Sequence, residues 1–212
     1  MNDDIADPGS SRSRRLKAAT HAVHDALDTR IMRADIFASR AHFAGFLRAQ
    51  YRFHRDLDAL YADPALAEAI PQLASRRRLL LIANDLGDLR SAVPAAAPGR
   101  LDGHASLPTA LGWLYVAEGS NLGGAVLSKL AREKLGLANG FGARHLAPHA
   151  EGAARHWRQF TAALDAIVLT PAQEAEVVQG AEDAFRTVRG YVEQELPLPE
   201  QTQAVVEASP HT

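Results

Sequence analysis

Apolar residues recur along this chain at helical rather than strand spacing, and no stretch sustains the two-residue alternation of a half-buried strand. A first helix is predicted from Ser13 to Met32, with Val23, Leu27 and Ile31 on its apolar face. Ser39 is placed to cap a second, carrying Phe43, Phe46, Leu47, Gln50, Tyr51, Phe53, His54 and Leu57. A third follows Pro71 and runs through Leu79-Leu80-Leu81-Ile82 to Leu89. The longest begins near Pro108 and ends at Leu135, where Gly136 stops it. Ala154 to Ile167 forms a shorter helix. Thr170-Pro171-Ala172-Gln173 is a capping box with proline at the first helical position, and its helix continues to about Glu195. Pro94–Gly103 and Asn139–Pro148 read as loops. Residues 1–12 are predicted to be disordered and 197–212 to be a mobile tail, leaving 13–196 as one domain. The class is all-α, a single-domain bundle of about eight helices.

Composition narrows the chemistry. The chain has 212 residues, 47% hydrophobic and 23% charged, enough for one full core. Its formal net charge is −2, so bulk electrostatics offer nothing to nucleic acid. With no cysteine there are no disulfides, iron–sulfur clusters or thiolate ligands. No run of 18 apolar residues suggests a membrane span, and the acidic start Met1-Asn2-Asp3-Asp4 is not a secretory signal. The expected location is the cytoplasm.

Gly112-Trp113-Leu114-Tyr115-Val116-Ala117-Glu118-Gly119-Ser120-Asn121-Leu122-Gly123-Gly124 departs from ordinary helix composition. A glycine inside a helix costs about 1 kcal/mol relative to alanine. Gly119 and Gly123 are four apart and share one face, bare of side chains. Such a face serves either close helix packing or the approach of a flat, bulky ligand. The first helix bears His21 and His24, with Asp28 one turn after His24 and placed to hold its second ring nitrogen. A histidine there is either a satisfied core residue or a ligand. Taken together, one axial nitrogen and a bare wall make a site for a planar macrocycle with one face left open to a small gas.

Other chemistries find less support. Glu-x-x-His, needed for a di-iron bundle, is absent. His145 and His149 have zinc-like spacing but enclose Pro148 and lack a third ligand, so they read as structural, satisfying backbone groups of their loop. His54 is expected to hydrogen-bond within the core. Gly119–Gly124 lacks the Gly-Lys-Ser/Thr ending of a phosphate loop, and no Gly-x-Ser-x-Gly elbow occurs.

Several separate motifs, in order, resemble the bacterial heme oxygenases of the kind by which Gram-negative bacteria take iron from heme. They are Leu16-Lys17-Ala18-Ala19-Thr20 with His21-Ala22-Val23-His24-Asp25, Phe53-His54, the glycine string, Gly142–His149 and His156-Trp157-Arg158, spanning roughly Arg14 to Leu196. The resemblance implies that heme is both cofactor and substrate, opened with O2 and external electrons to biliverdin, CO and ferrous iron. It implies His24 as the axial ligand and Gly119 and Gly123 as the distal wall, their carbonyls freed where the helix bends. Asn121, Arg78 and Trp157 would organise distal water, with Gln50, Phe53 and His54 behind them. Lys17 and Tyr115 would hold a heme propionate and imply opening at the α-meso carbon, and Phe185 would pack on the heme edge. The electron donor would be a ferredoxin, a flavodoxin or an NAD(P)H-dependent reductase. Two positions depart from relatives. Ser120 stands where mammalian members carry an aspartate. Val188 stands where a close bacterial relative has a propionate-binding tyrosine, with Arg189 and Tyr191 as neighbours that could replace it. The alternative functions are a non-catalytic heme storage or transfer protein on the same fold, and a thiaminase-like helical enzyme, whose usual cysteine nucleophile is missing.

Overall fold

A computed structural model describes residues 11–95, 97–101 and 105–198. Its α-helices are α1 (Arg12–Arg33), α2 (Arg40–Asp56), α3 (Pro64–Ala69), α4 (Leu79–Asp88), α5 (Leu107–Leu135), α6 (Ala153–Ala166) and α7 (Pro171–Glu195). Three short 3-10 turns join them at Asp58–Ala62, Leu73–Arg76 and Arg144–Leu146. The expected all-α bundle is what forms. Ser39 caps α2 by accepting from His42 N, Gly136 ends α5 at φ +65°, and both halves of the Thr170–Gln173 capping box are made. Residues 1–10 and 199–212 lie outside the described residues, and so does most of the expected disorder at the two ends.

Three boundaries differ from expectation. Arg12, expected within the disordered segment, opens α1 and is buried. Its guanidinium grips both Glu174 carboxylate oxygens, at 3.0 and 2.8 Å, and donates to the carbonyls of Leu164 and Ile167. The helix expected after Pro71 is divided. Arg76, Arg77 and Arg78 point to three partners, Glu118, Asp58 and the Ala147 carbonyl, which no single helical face could reach, and the chain is extended at Arg77. Finally, α3 has no counterpart among the expected helices, although Asp63-Pro64 carries its signal: the Asp63 carboxylate accepts from Leu66 N.

The core is built on the crossing of α5 and α7, backed by Leu16, Phe53, Trp113, Phe160 and Phe185. A second cluster gathers Phe43, Phe46, Ile82, Leu86 and Leu137 at one end. The close helix approach made possible by small residues occurs here, at Gly112 and Gly180. A Cβ on Gly112 would lie 2.6 Å from Ala181 N and run into the Val177 carbonyl, and one on Gly180 would lie 2.8 Å from Thr109 O. Gly112→Ala should therefore destabilise the fold by roughly 3 kcal/mol, the upper range for overpacking. Gly123→Ala, with open space around its Cβ, should raise stability by roughly 0.5–1 kcal/mol. Thermal melts of the heme-free variants separate the two, and equal losses would contradict the packing described.

Candidate functional site

α1 and α5 form opposing walls of a cavity of about 660 Å³, within the range of small-molecule sites. The residues expected to hold heme and organise its distal side line it: Lys17, His24 and Asp28 from α1, Tyr115, Gly119, Ser120, Asn121 and Gly123 from α5, with Arg78, Trp157 and Phe185; His149, Arg189 and Tyr191 do not. His21, Gln50, Phe53, His54 and Val188 line it too.

On the α1 wall the His24 ring is half-exposed and meets Phe185 edge-on, with centroids 5.8 Å apart. Its Nδ1 lies 3.5 Å from an Asp28 carboxylate oxygen and 3.6 Å from one of Asp25. These separations suit a water bridge or a loose ion pair rather than a direct hydrogen bond. With Nδ1 turned to the carboxylates, Nε2 remains for a metal. His21, one turn earlier, is paired with Asp25 at 3.2 Å.

The α5 wall resolves the two readings of the glycines. A Cβ on Gly123 would meet nothing within 4 Å, and one on Gly119 only the edge of Trp157 at 3.7 Å. Neither glycine serves helix packing. Gly124 faces the 3-10 turn, where a Cβ would make ordinary contact with the Leu146 carbonyl at 3.4 Å. The expected bend is not seen as a break, since α5 stays α-helical through the cluster. The Ser120 hydroxyl donates back to the Ala117 carbonyl at 2.7 Å, so its proton is not offered to the cavity.

Four buried polar atoms on residues lining this cavity have no protein partner: Arg78 Nε, Asn121 Nδ2, His54 Nδ1 and His145 Nε2. Buried polar groups are normally paired, so these four atoms are free to take a partner that is not protein, such as water. Burial raises the Tyr115 phenol above its ordinary pKa and keeps it a neutral donor, and the exposed Lys17 lines the same cavity.

Several expectations need correction. His54 does not find a core partner for Nδ1. Burial, aided by His145 and Arg78, pushes its pKa down to about 3. Below pH ~6.5 the unfolded chain therefore takes up a proton that the folded one refuses, so stability falls as pH drops toward the folded value. The slope is roughly 1.4 kcal/mol per pH unit. Melts at pH 6 and pH 4.5 should lose about 2 kcal/mol from this residue, and His54→Leu should flatten that slope. An unchanged slope would show that His54 is not buried neutral. His145 satisfies a carboxylate, not backbone groups: its Nδ1 is 2.8 Å from Asp85 Oδ2. His149 does satisfy a backbone group of its loop, its Nδ1 accepting from Glu151 N at 3.3 Å, and its ring stacks on His156 with centroids 4.2 Å apart. Neither neighbour of Val188 replaces the missing tyrosine. The Tyr191 hydroxyl donates to buried Asp56 at 2.5 Å, and Arg189 pairs with Glu193. The place of His145 on the cavity escaped the sequence, because its fixing partner is 60 residues away.

An all-α bundle with a histidine on one wall and bare backbone on the other defines the class. The heme oxygenase family profile matches residues 10–194. The chain is 45% identical over 174 residues to the heme oxygenase PigA of Pseudomonas aeruginosa, covering 82% of this chain and 87% of that protein. It is 35% identical over 144 residues to a heme oxygenase of Xanthomonas campestris, covering 68% and 84%. Among solved structures, the NO- and CO-bound heme oxygenase of Neisseria meningitidis superposes with a TM-score of 0.82 at 38% identity, covering 94% of this chain and 99% of that one. The heme oxygenase of Leptospira interrogans shares the fold at 16% identity and a TM-score of 0.68. The chain belongs to the heme oxygenase family, whose members are heme-degrading oxidoreductases. Among the described residues, no helix is long and apolar enough to cross a membrane.

Proposed function

We propose that this protein binds heme through His24 and opens it at the α-meso carbon to biliverdin, CO and ferrous iron, using O2 and electrons from a separate donor in the cytoplasm. The observation that carries the reading is the bare stretch of α5. Gly123 faces open space and Gly119 only the edge of Trp157, on a cavity that α1 lines with His24 and, one turn earlier, His21. The donor set fits heme: a neutral nitrogen for the iron, a flat apolar slot, and a cation with a phenol for a carboxylate.

Heme, as substrate, supplies the iron that binds and activates O2 and the ring carbon that is oxidised. The rest falls to the protein. His24 would ligate the iron, with Asp28 close enough to Nδ1 to set its tautomer through a bridging water. The imidazole is a neutral ligand, which does not favour O–O cleavage as a thiolate does. Gly119 and Gly123 would keep the opposite face free of their own side chains, leaving room there for a diatomic ligand. Asn121 Nδ2 and Arg78 Nε, buried and unpartnered, hold water there, and Trp157 closes the slot beside Gly119. Phe185 packs beside His24. Ser120, with its proton spent on Ala117, offers only its oxygen lone pairs. The carbons lining the slot limit access of bulk water. The electron donor is a ferredoxin, a flavodoxin or an NAD(P)H-dependent reductase.

Regiochemistry follows from the propionate grip. Family members with unusual products differ at the positions of Lys17 and Tyr115, so their presence supports α opening. A charge-assisted contact from Lys17 contributes roughly 1–3 kcal/mol, enough to populate one seating at least fivefold over another. Val188 offers the second propionate no polar contact. Chromatography of the extracted product should show mainly the α isomer, and replacing Lys17 and Tyr115 together by leucine and phenylalanine should broaden the mixture. A mainly β or δ product from the unaltered protein would refute this seating.

A further inference from the structure

Asp85 is fully buried and collects four donors. Its Oδ1 accepts from Arg144 N at 2.9 Å and from the Arg144 guanidinium at 3.1 Å. Its Oδ2 accepts from His145 N at 3.0 Å and from the His145 ring at 2.8 Å. Burial alone would raise the Asp85 carboxyl, but these hydrogen bonds outweigh it and hold the group below its ordinary pKa. Arg144 already neutralises the carboxylate, so His145 need not be charged. Burial lowers the imidazole against the opposing pull of Asp85. A neutral imidazole that donates from Nδ1 has one tautomer, with a bare lone pair on Nε2. That atom is buried without a protein partner, on a ring that lines the heme cavity.

Two of the other unpartnered cavity atoms have the opposite polarity, and the third, His54 Nδ1, accepts or donates according to its tautomer. Arg78 Nε and Asn121 Nδ2 are donors. Arg78 is tied to the same short segment as His145, since its guanidinium donates to the Ala147 carbonyl at 3.2 Å. A water molecule in a polar recess needs two to four partners. One that gives a proton to His145 and accepts from Arg78 or Asn121 has its second O–H left over.

Resting on the heme reading above, we propose that His145, locked by Asp85, is a positioning residue that orients cavity water so that one O–H points at the open face of the heme. Among these orphan atoms, His145 Nε2 is an acceptor whose state is fixed by the fold. Without it Arg78 and Asn121 would hold water by its oxygen, and no acceptor locked by a buried carboxylate would set the direction of its protons.

Two measurements test this. In the heme-free protein, nitrogen-resolved NMR of the imidazoles should show His145 protonated at Nδ1 and bare at Nε2 at neutral pH. A proton on Nε2 would overturn the proposal whatever the protein binds. In the heme-loaded protein, His145→Leu and His145→Gln should both bind heme as the unaltered chain does. Leucine, with no acceptor, should slow biliverdin formation by roughly tenfold or more. Glutamine, whose amide oxygen falls near the Nε2 position, should return the rate to within a few fold. Leucine turning over at the unaltered rate, or glutamine as slow as leucine, would overturn it. Failure of the heme reading itself would appear separately, as an unaltered chain that does not take up heme. Should His145→Leu not fold, the glutamine variant and the NMR tautomer still decide: a glutamine variant that binds heme but is slowed tenfold counts against the proposal.

Discussion

His24→Ala should lose the histidine-ligated spectrum of the ferric heme complex and drop turnover to background, while His21→Ala keeps both. The two histidines sit one turn apart on the same cavity wall, so position alone does not separate them. Their partners do. His21 is tied to Asp25 at 3.2 Å and is the more exposed. His24 packs edge-on against Phe185 and has Asp28 beside Nδ1, the arrangement that fixes a ligating tautomer. Removing that outer carboxylate should have a graded effect: Asp28→Asn should weaken heme binding by roughly tenfold without abolishing the histidine spectrum. The reverse pattern, with His21→Ala losing the spectrum, would transfer the ligand role to His21.

The second large effect is expected at Gly123. Phenylalanine there would place a ring in the space that a heme face must occupy, and heme binding or turnover should be lost. Helical circular dichroism should be unchanged, because a Cβ at Gly123 meets nothing within 4 Å in the heme-free protein. The contrast with Gly112 separates function from packing on one helix. At Gly112 even a methyl group collides with α7, and the damage is to the fold. Unchanged turnover in Gly123→Phe would mean that this wall does not face the substrate.

Much of this was legible in the sequence because the signals are local. Caps at Ser39, Thr170 and Gly136 fixed helix ends through backbone geometry within a few residues, and those ends fall where expected. The glycine string was legible as an anomaly, but its two uses were not separable there. Whether a bare helix face meets another helix or open space depends on α7 and α6, far away in the chain. Long-range polar pairing was hidden for the same reason. The anchoring of Arg12 on Glu174, the orientation of His145 by Asp85 and the engagement of Tyr191 by Asp56 join residues separated by 162, 60 and 135 positions. The three arginines at 76–78 broke a helix that periodicity would have continued, because each answers to a different distant partner.

Reconstitution of the unaltered protein with one equivalent of heme, followed by a reductant in air, tests the central claim most directly. The absorption spectrum should first show a histidine-ligated heme and then lose that band as biliverdin absorption grows and ferrous iron is released. A heme band that forms at one equivalent and persists through reduction in air, with no biliverdin, would contradict it and leave a heme storage or transfer protein.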